Sequence, residues 1–331
     1  MELVENIKIN FLCGISVKNI NFGQLLNNLS WEDQEILIQE TILNDRNVKY
    51  PLKRDYQIAF IKHIIKELEN GSEEVHDKFY ECLSMIINAT DNDFSFKHYK
   101  INKNNFISVK EANSYIRDGT TGLKVWEASI TLTNFIIQNK EYFRDKSIIE
   151  LGSGCSGLVG LSLLKLCDCK QIFLSDCHES VMNTLQENLL LNLRDEKLEK
   201  YESSVLVKER IYVNNKTEIG ILNIPWENAE EMSEELSKIC QPDIILAADI
   251  IYDSSIFNAL LNCLNVLFKN FSNIEFILSQ TIRNNETFEE FTKILRKNKF
   301  QIEDIETNDL EKNIPCSSDA SLIKMFRIRK V

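Results

Sequence analysis

The stretch Ile-Ile-Glu-Leu-Gly-Ser-Gly-Cys-Ser-Gly-Leu at 148–158 sets a short apolar run against a burst of glycine and then a helix-like run. Four of the chain's ten glycines fall at 152, 154, 157 and 160, so the backbone most needs freedom at this turn, and something approaches it closely. Gly152-Ser153-Gly154-Cys155-Ser156-Gly157 satisfies the G-x-G-x-x-G spacing, which aims amide groups and the positive end of a helix at a ligand. Two acids narrow the ligand. Glu150 lies inside the strand end, two residues before the first glycine, where a carboxylate suits an ammonium group. Asp176 follows Gly154 by 22 positions, at the end of a second strand, where a carboxylate can accept both hydroxyl protons of a ribose. Asp176 fits NAD and S-adenosylmethionine equally.

Around this turn the chain alternates. Apolar, β-rich runs at 147–151, 171–175, 243–248 and 274–279 are separated by helix-like segments near 157–167, 178–192, 254–270 and 284–298. That order predicts a parallel sheet covered by helices on both faces. Two further strands, 300–306 and 321–330, are joined by a connection too short for a full crossover helix and are expected to run antiparallel. The first 90 residues read instead as helices. Ser30 with Asp33 marks one helix start, Pro51 opens another that stops at Gly71, and Val75, Phe79, Leu83 and Ile86 share one face of a third beginning after Ser72. The polar stretch 88–96 bounds this segment, and a hairpin is expected over 97–116. The predicted division is therefore a helical domain, 1–90, followed by an α/β domain, 91–331.

The 331 residues are 44% hydrophobic, enough for a real core, and carry a net charge of −12, which opposes a broad footprint on nucleic acid. No charged-then-apolar leader and no long uncharged apolar stretch is visible, so no membrane partner and a cytoplasmic location are expected. Nine scattered cysteines fit reduced thiols. Cys167, Cys169, Cys177 and His178 lack the C-x₂-C pairs of structural zinc, so no metal is expected.

"IIELGSGCSGL", "IFLSDCH" and "PDIILAADIIYD" resemble the first, second and fourth strand motifs of the seven-β-strand (class I) S-adenosylmethionine-dependent methyltransferases. "TTGLKVWEAS", "LSDCHESVMNTLQENLLLN" and Asp249-Ile250-Ile251-Tyr252 narrow the resemblance to the lysine methyltransferases with an Asp-x-x-Tyr motif, and within them to the branch that acts on elongation factor 2 and carries an N-terminal helical extension. The resemblance covers about residues 95–331. It implies a Rossmann-like α/β fold, a seven-stranded, mostly parallel sheet with its last strand antiparallel. It also implies S-adenosylmethionine as cofactor and a protein substrate, elongation factor 2, met by a monomer. Glu150, Gly152 and Gly154 would cradle the methionine part, Asp176 would hold the ribose, Trp126 and the backbone of Ala248 would wall the site, and Asp249 and Tyr252 would receive the lysine. The family's Leu-Asp-Trp after the third strand is here Ile224-Pro225-Trp226, so Trp226 keeps its place beside the adenine while Pro225 stands where the acid is expected.

Methyl transfer to an amine is an in-line displacement that chiefly needs alignment and exclusion of water. The amine must be neutral, and a lysine with reference pKa near 10.4 is neutral only about once in 10³ at neutral pH. A carboxylate beside it favours the charged form, so Asp249 reads as an aligner rather than a proton remover, and Tyr252 as an aromatic face for the methylated cation. Three other readings remain open: a nicotinamide-dependent oxidoreductase, a nucleic-acid methyltransferase and a non-catalytic adaptor. Glu150 and the Asp-x-x-Tyr argue against the first, the lack of Asn-Pro-Pro-Tyr and the acidity against the second, and the intact motifs against the third.

Overall fold

The computed structural model describes residues 2–23, 29–71, 74–103, 105–194, 196–200, 204–214, 216–271, 273–307, 309–316 and 322–331. Two compact units divide it, Met1–Tyr115 and Ile116–Val331.

The first unit carries helices α1 (Glu2–Leu12), α2 (Trp31–Glu40), α3 (Asp45–Lys49), α4 (Arg54–Asn70) and α5 (Asp77–Asn88), then the antiparallel strands β1 (Phe94–Lys100) and β2 (Phe106–Ala112). Ser30 caps α2 by accepting the Asp33 amide at 3.1 Å, as its spacing predicts. Pro51 does not open α4, whose cap is Lys53; the Pro51 carbonyl instead accepts the Phe96 amide at 2.9 Å, which spends the residue on holding the strand pair. α5 starts at Asp77 behind His76, whose Nδ1 accepts the Lys78 amide at 3.2 Å; Ser72 lies outside the described residues. His98 is buried and satisfied at both ring nitrogens, by the Ser108 hydroxyl and the Tyr50 carbonyl. Whereas the polarity of 88–96 suggests a boundary there, the hairpin that follows clusters with the helices, and the second unit begins at Ile116.

The second unit holds α6 (Glu127–Gln138), β3 (Ser147–Leu151), α7 (Leu158–Leu166), β4 (Gln171–Asp176), α8 (Glu179–Asn192), β5 (Leu198–Lys200), β6 (Val207–Val213), β7 (Thr217–Asn223), α9 (Ala229–Ile239), β8 (Ile244–Ala248), α10 (Phe257–Asn270), β9 (Glu275–Thr281), α11 (Asn285–Lys297), β10 (Phe300–Ile305) and β11 (Ile323–Lys330). The strands form one sheet in the order β10-β11-β9-β8-β3-β4-β7-β6-β5. β7, β4, β3, β8 and β9 are parallel, and β11 runs antiparallel between β9 and β10. This is the expected seven-stranded Rossmann-like sheet, extended on the β7 side by β6 and β5, each antiparallel to its neighbour.

The central strands read as continuous apolar runs because both faces are covered. Ile149, Leu151, Phe173, Ile245, Ala247, Phe276 and Leu278 point to a core closed by α9, α10 and α11. The alternate residues face α6, α7 and α8. There α7 lies so close to β4 that a methyl group on Gly160 would occupy the position of the Leu174 side chain. With β3 and β4 central and their helices packed this tightly, the loops at the carboxyl ends of the strands converge on one edge of the sheet.

Candidate active site

The turn that leaves β3 is shaped by its glycines. Gly152 and Gly154 adopt φ of +63° and +60°, a region that L side chains rarely enter. A Cβ on Gly152 would come within 2.9 Å of Ile250 Cγ2 and 3.6 Å of the Trp226 ring, and one on Gly154 within 3.1 Å of the Gly122 carbonyl. The turn is also tied down. The Ser153 amide donates to the Ser175 carbonyl at 2.8 Å, the Cys155 amide to the Gly122 carbonyl at 2.8 Å, and Asn188 Nδ2 to the Cys155 carbonyl at 2.7 Å. The exits of β3, β4, β7 and β8 thereby meet around one short segment of bare backbone.

Glu150 is buried on β3, and its Oε2 has no hydrogen-bond partner. Burial pushes its carboxyl up to about 8, against the opposing pull of the Ser153 hydroxyl and the Gly160 amide. A carboxylate with an orphaned oxygen beneath a glycine turn is a group that awaits a cation. Asp176, at the end of β4, accepts the amides of Cys177 at 2.8 Å, His178 at 3.1 Å and Gly154 at 3.3 Å. Burial raises its carboxyl above the ordinary range, and those amides hold the rise down. Trp226 lies just past β7 in a short 3₁₀ turn, half-buried, its ring edge against Gly152. The geometry therefore gathers Glu150, Gly152, Gly154, Asp176 and Trp226 about the turn. A cofactor with an ammonium group and a ribose suits this donor and acceptor set.

The exit of β8 carries the second cluster. Ala248 ends the strand, and Asp249 follows with φ of +55°, 7% exposed. Its carboxylate is fully engaged. Oδ1 accepts the Thr281 amide at 2.8 Å, Gln280 Nε2 at 3.2 Å and Arg283 Nη1 at 3.4 Å, while Oδ2 accepts the Thr281 hydroxyl at 2.9 Å and Arg283 Nη2 at 3.1 Å. Gln280 also clamps the next turn of chain, accepting the Ile251 amide at 3.0 Å and donating to its carbonyl at 3.1 Å. Tyr252 is 59% exposed, and desolvation with the nearby Asp176 and Asp253 carboxylates pushes its phenol up. Trp126 caps the start of α6, its indole N–H donating to the Thr121 carbonyl at 3.2 Å and its ring 4.9 Å from the Arg283 guanidinium.

Reading the motif places Asp249 against the substrate amine directly, whereas its oxygens here meet Gln280, Thr281 and Arg283. Those three residues carry no signal beside Asp249 in the sequence because they reach it from the end of β9 and the residues just past it, 31 to 34 positions further along the chain. Their one local signal is the polar Gln280-Thr281 pair closing an otherwise apolar strand.

The chain is 28% identical to the human protein-lysine N-methyltransferase EEF2KMT over 297 residues, which cover 88% of this chain and 86% of that one. It is 27% identical to the Bos taurus EEF2KMT over 300 residues, 87% and 85% of the two chains. It is 25% identical to the protein-lysine N-methyltransferase EFM3 of Chaetomium thermophilum over 311 residues, 84% and 86%. Residues 103–298 match the model of the lysine methyltransferase family. With the glycine turn, the buried Glu150 and the match over more than half its length, the chain belongs to the lysine methyltransferase family, whose methyl donor is S-adenosylmethionine.

Proposed function

We propose that this protein-lysine N-methyltransferase modifies a lysine of elongation factor 2, acting as a monomer in the cytoplasm. The observation that carries the cofactor half of this reading is the orphaned Oε2 of Glu150 beneath the glycine turn. The substrate half is supported by similarity to EEF2KMT that runs through most of both chains rather than through the sheet alone.

Bound at the turn, S-adenosylmethionine supplies an electrophilic methyl group on a sulfonium. Glu150 accepts the donor's ammonium group, and the bare backbone of Gly152 and Gly154 permits close approach. Asp176 receives the ribose hydroxyls with the lone pairs its three amides leave free. Trp226, whose ring edge lies against Gly152, would flank the adenine, and Trp126 and Ala248 would close the wall and exclude water from the reacting pair. Asp249, held by β9, fixes the path of 249–252 and so the place of Tyr252. The exposed ring of Tyr252 offers an aromatic face to a nitrogen that gains positive charge as the new N–C bond forms, worth roughly 0.5–2 kcal/mol per good contact. The lysine would lose its proton to water before it attacks, and no side chain near Tyr252 is asked to take it.

No step of this chemistry requires residues 1–115. We assign that unit to docking the protein substrate, because a lysine pocket cannot tell one lysine from another and selectivity must come from contacts outside it. Incubation with labelled S-adenosylmethionine and purified elongation factor 2, followed by mass spectrometry, tests the proposal. Label on one lysine of the factor is the expected result; label on another protein in extract, with none on the factor, would replace the substrate.

A further inference from the structure

We infer that Arg283 is a positioning residue for methyl transfer, one that keeps the lysine entrance free of unpaired negative charge. The inference rests on the placing of Asp249 and Tyr252 at that entrance.

The Asp249 side chain is 2% exposed, and its five donors divide into three neutral ones, from Thr281 and Gln280, and two charged ones, from the guanidinium. Among the described residues, Arg283 is the cation that meets it, in a two-pronged pairing with Nη2 3.1 Å from Oδ2 and Nη1 3.4 Å from Oδ1. The guanidinium is itself fixed on its other side by the Trp126 ring, 4.9 Å away. One side chain therefore joins the exits of β8 and β9 to the start of α6.

A salt bridge whose cation is 47% exposed adds little to stability in general. This one has a chemical consequence instead. The nucleophile is a neutral amine, already scarce at neutral pH. An unpaired carboxylate within about 4–6 Å of an incoming ammonium would raise its pKa by about 1–3 units, making the reactive form about 10 to 1000 times scarcer while binding the unreactive form more tightly. Pairing with Arg283 cancels that trap and leaves Asp249 to shape the loop. The planar fork and the stacking on Trp126 hold the charge in one place, which a flexible ammonium does less well.

The test compares the full-length protein with Arg283→Gln, Arg283→Lys and the double variant Arg283→Gln/Asp249→Asn, using elongation factor 2 as substrate and S-adenosylhomocysteine as binding probe. Arg283→Gln is expected to lower kcat at least about tenfold while KM for the protein substrate stays level or falls and the affinity for S-adenosylhomocysteine stays within about twofold. Arg283→Lys keeps more of kcat than Arg283→Gln. In the double variant, removal of the stranded carboxylate restores kcat above that of Arg283→Gln alone. A purely structural clamp predicts the reverse pattern: weaker cofactor binding, a lower Tm and no rescue by Asp249→Asn. That pattern, or an Arg283→Gln variant as fast as an active parent, overturns the pairing alone, whereas a parent that methylates no lysine overturns both the pairing and the reading beneath it.

Discussion

The backbone amide of Gly154 donates to Oδ2 of Asp176 at 3.3 Å, joining the turn after β3 to the last residue of β4. The turn and the acid are thus one unit: where the backbone moves, the carboxylate follows. Parallel strands that end side by side make such a bond available only if no side chain stands between them.

Gly154→Arg should therefore abolish binding of S-adenosylhomocysteine measured by calorimetry. The position has φ of +60°, and any Cβ there stands 3.1 Å from the Gly122 carbonyl, so the substitution strains the turn as well as filling its space. A folded variant that binds with parent affinity would make the turn purely structural.

Cofactor affinity should depend on pH through Glu150. Its carboxyl, pushed up to about 8, holds a proton in the free protein below that pH, and binding an ammonium group requires the proton to leave. Affinity is expected to rise between about pH 6.5 and 8, by up to about tenfold per unit, then to level as the ligand's own α-amino group, with reference pKa about 7.7–8.0, loses its charge. Glu150→Gln should flatten the profile. The sign for the free protein is opposite: a folded-state carboxyl raised from the ordinary 4.5 favours the fold less as pH climbs from about 4.5 through 8. Melting scans with and without ligand across that range separate the two.

Asp249→Asn tests the second cluster without disturbing φ of +55°, a conformation that asparagine tolerates better than alanine. An amide cannot accept from the Thr281 amide and hydroxyl and from Arg283 as the carboxylate does, so the clamp on 249–252 loosens and kcat/KM for the protein substrate should fall at least about tenfold, roughly 1.4 kcal/mol. The affinity for S-adenosylhomocysteine should hardly change. Steady-state kinetics on elongation factor 2 and calorimetry make the pair of measurements.

Removal of residues 1–115 is expected to leave a protein that binds S-adenosylhomocysteine and labels elongation factor 2 at least about tenfold more slowly. Equal rates for the shortened and full chains would take substrate docking away from the first unit.

The strand, turn and helix around Gly152 are legible because each carries a local signal: an apolar run, residues that permit positive φ, then a periodic run. The same holds for the two closing strands, whose short connection predicts their antiparallel pairing. β6 and β5 are harder to read. Lys208 and Arg210 alternate with buried Val207, Glu209 and Ile211 on β6, and Leu198–Lys200 is mostly exposed, so neither has the apolar run of a central strand. Pro51 was open to a helix start in composition and spacing, but a bond from Phe96 decides its place. Asp249 is likewise visible as a candidate, while its partners are not, since Gln280, Thr281 and Arg283 join it only when β8 and β9 pair.

The position of β11 between β9 and β10 bears on how the protein is made. It is last of the strands in chain order, yet it is an interior one, pairing through Ile323–Ile328 with β9 and through Met325–Lys330 with β10. In chain order β10 is made before the strand it pairs with, and the edge of β9 away from β8 stays bare until β11 pairs with it. Buried Phe326 and Ile328 belong to the same core as Phe276 and Leu278, so that core too is incomplete until then. Asp249, Thr281 and Arg283 meet at the exits of β8 and β9, beside this gap. Until β11 takes its place, the bare edge of β9 is therefore open to strand-edge association, and the cluster around Asp249 lies beside an unfinished sheet.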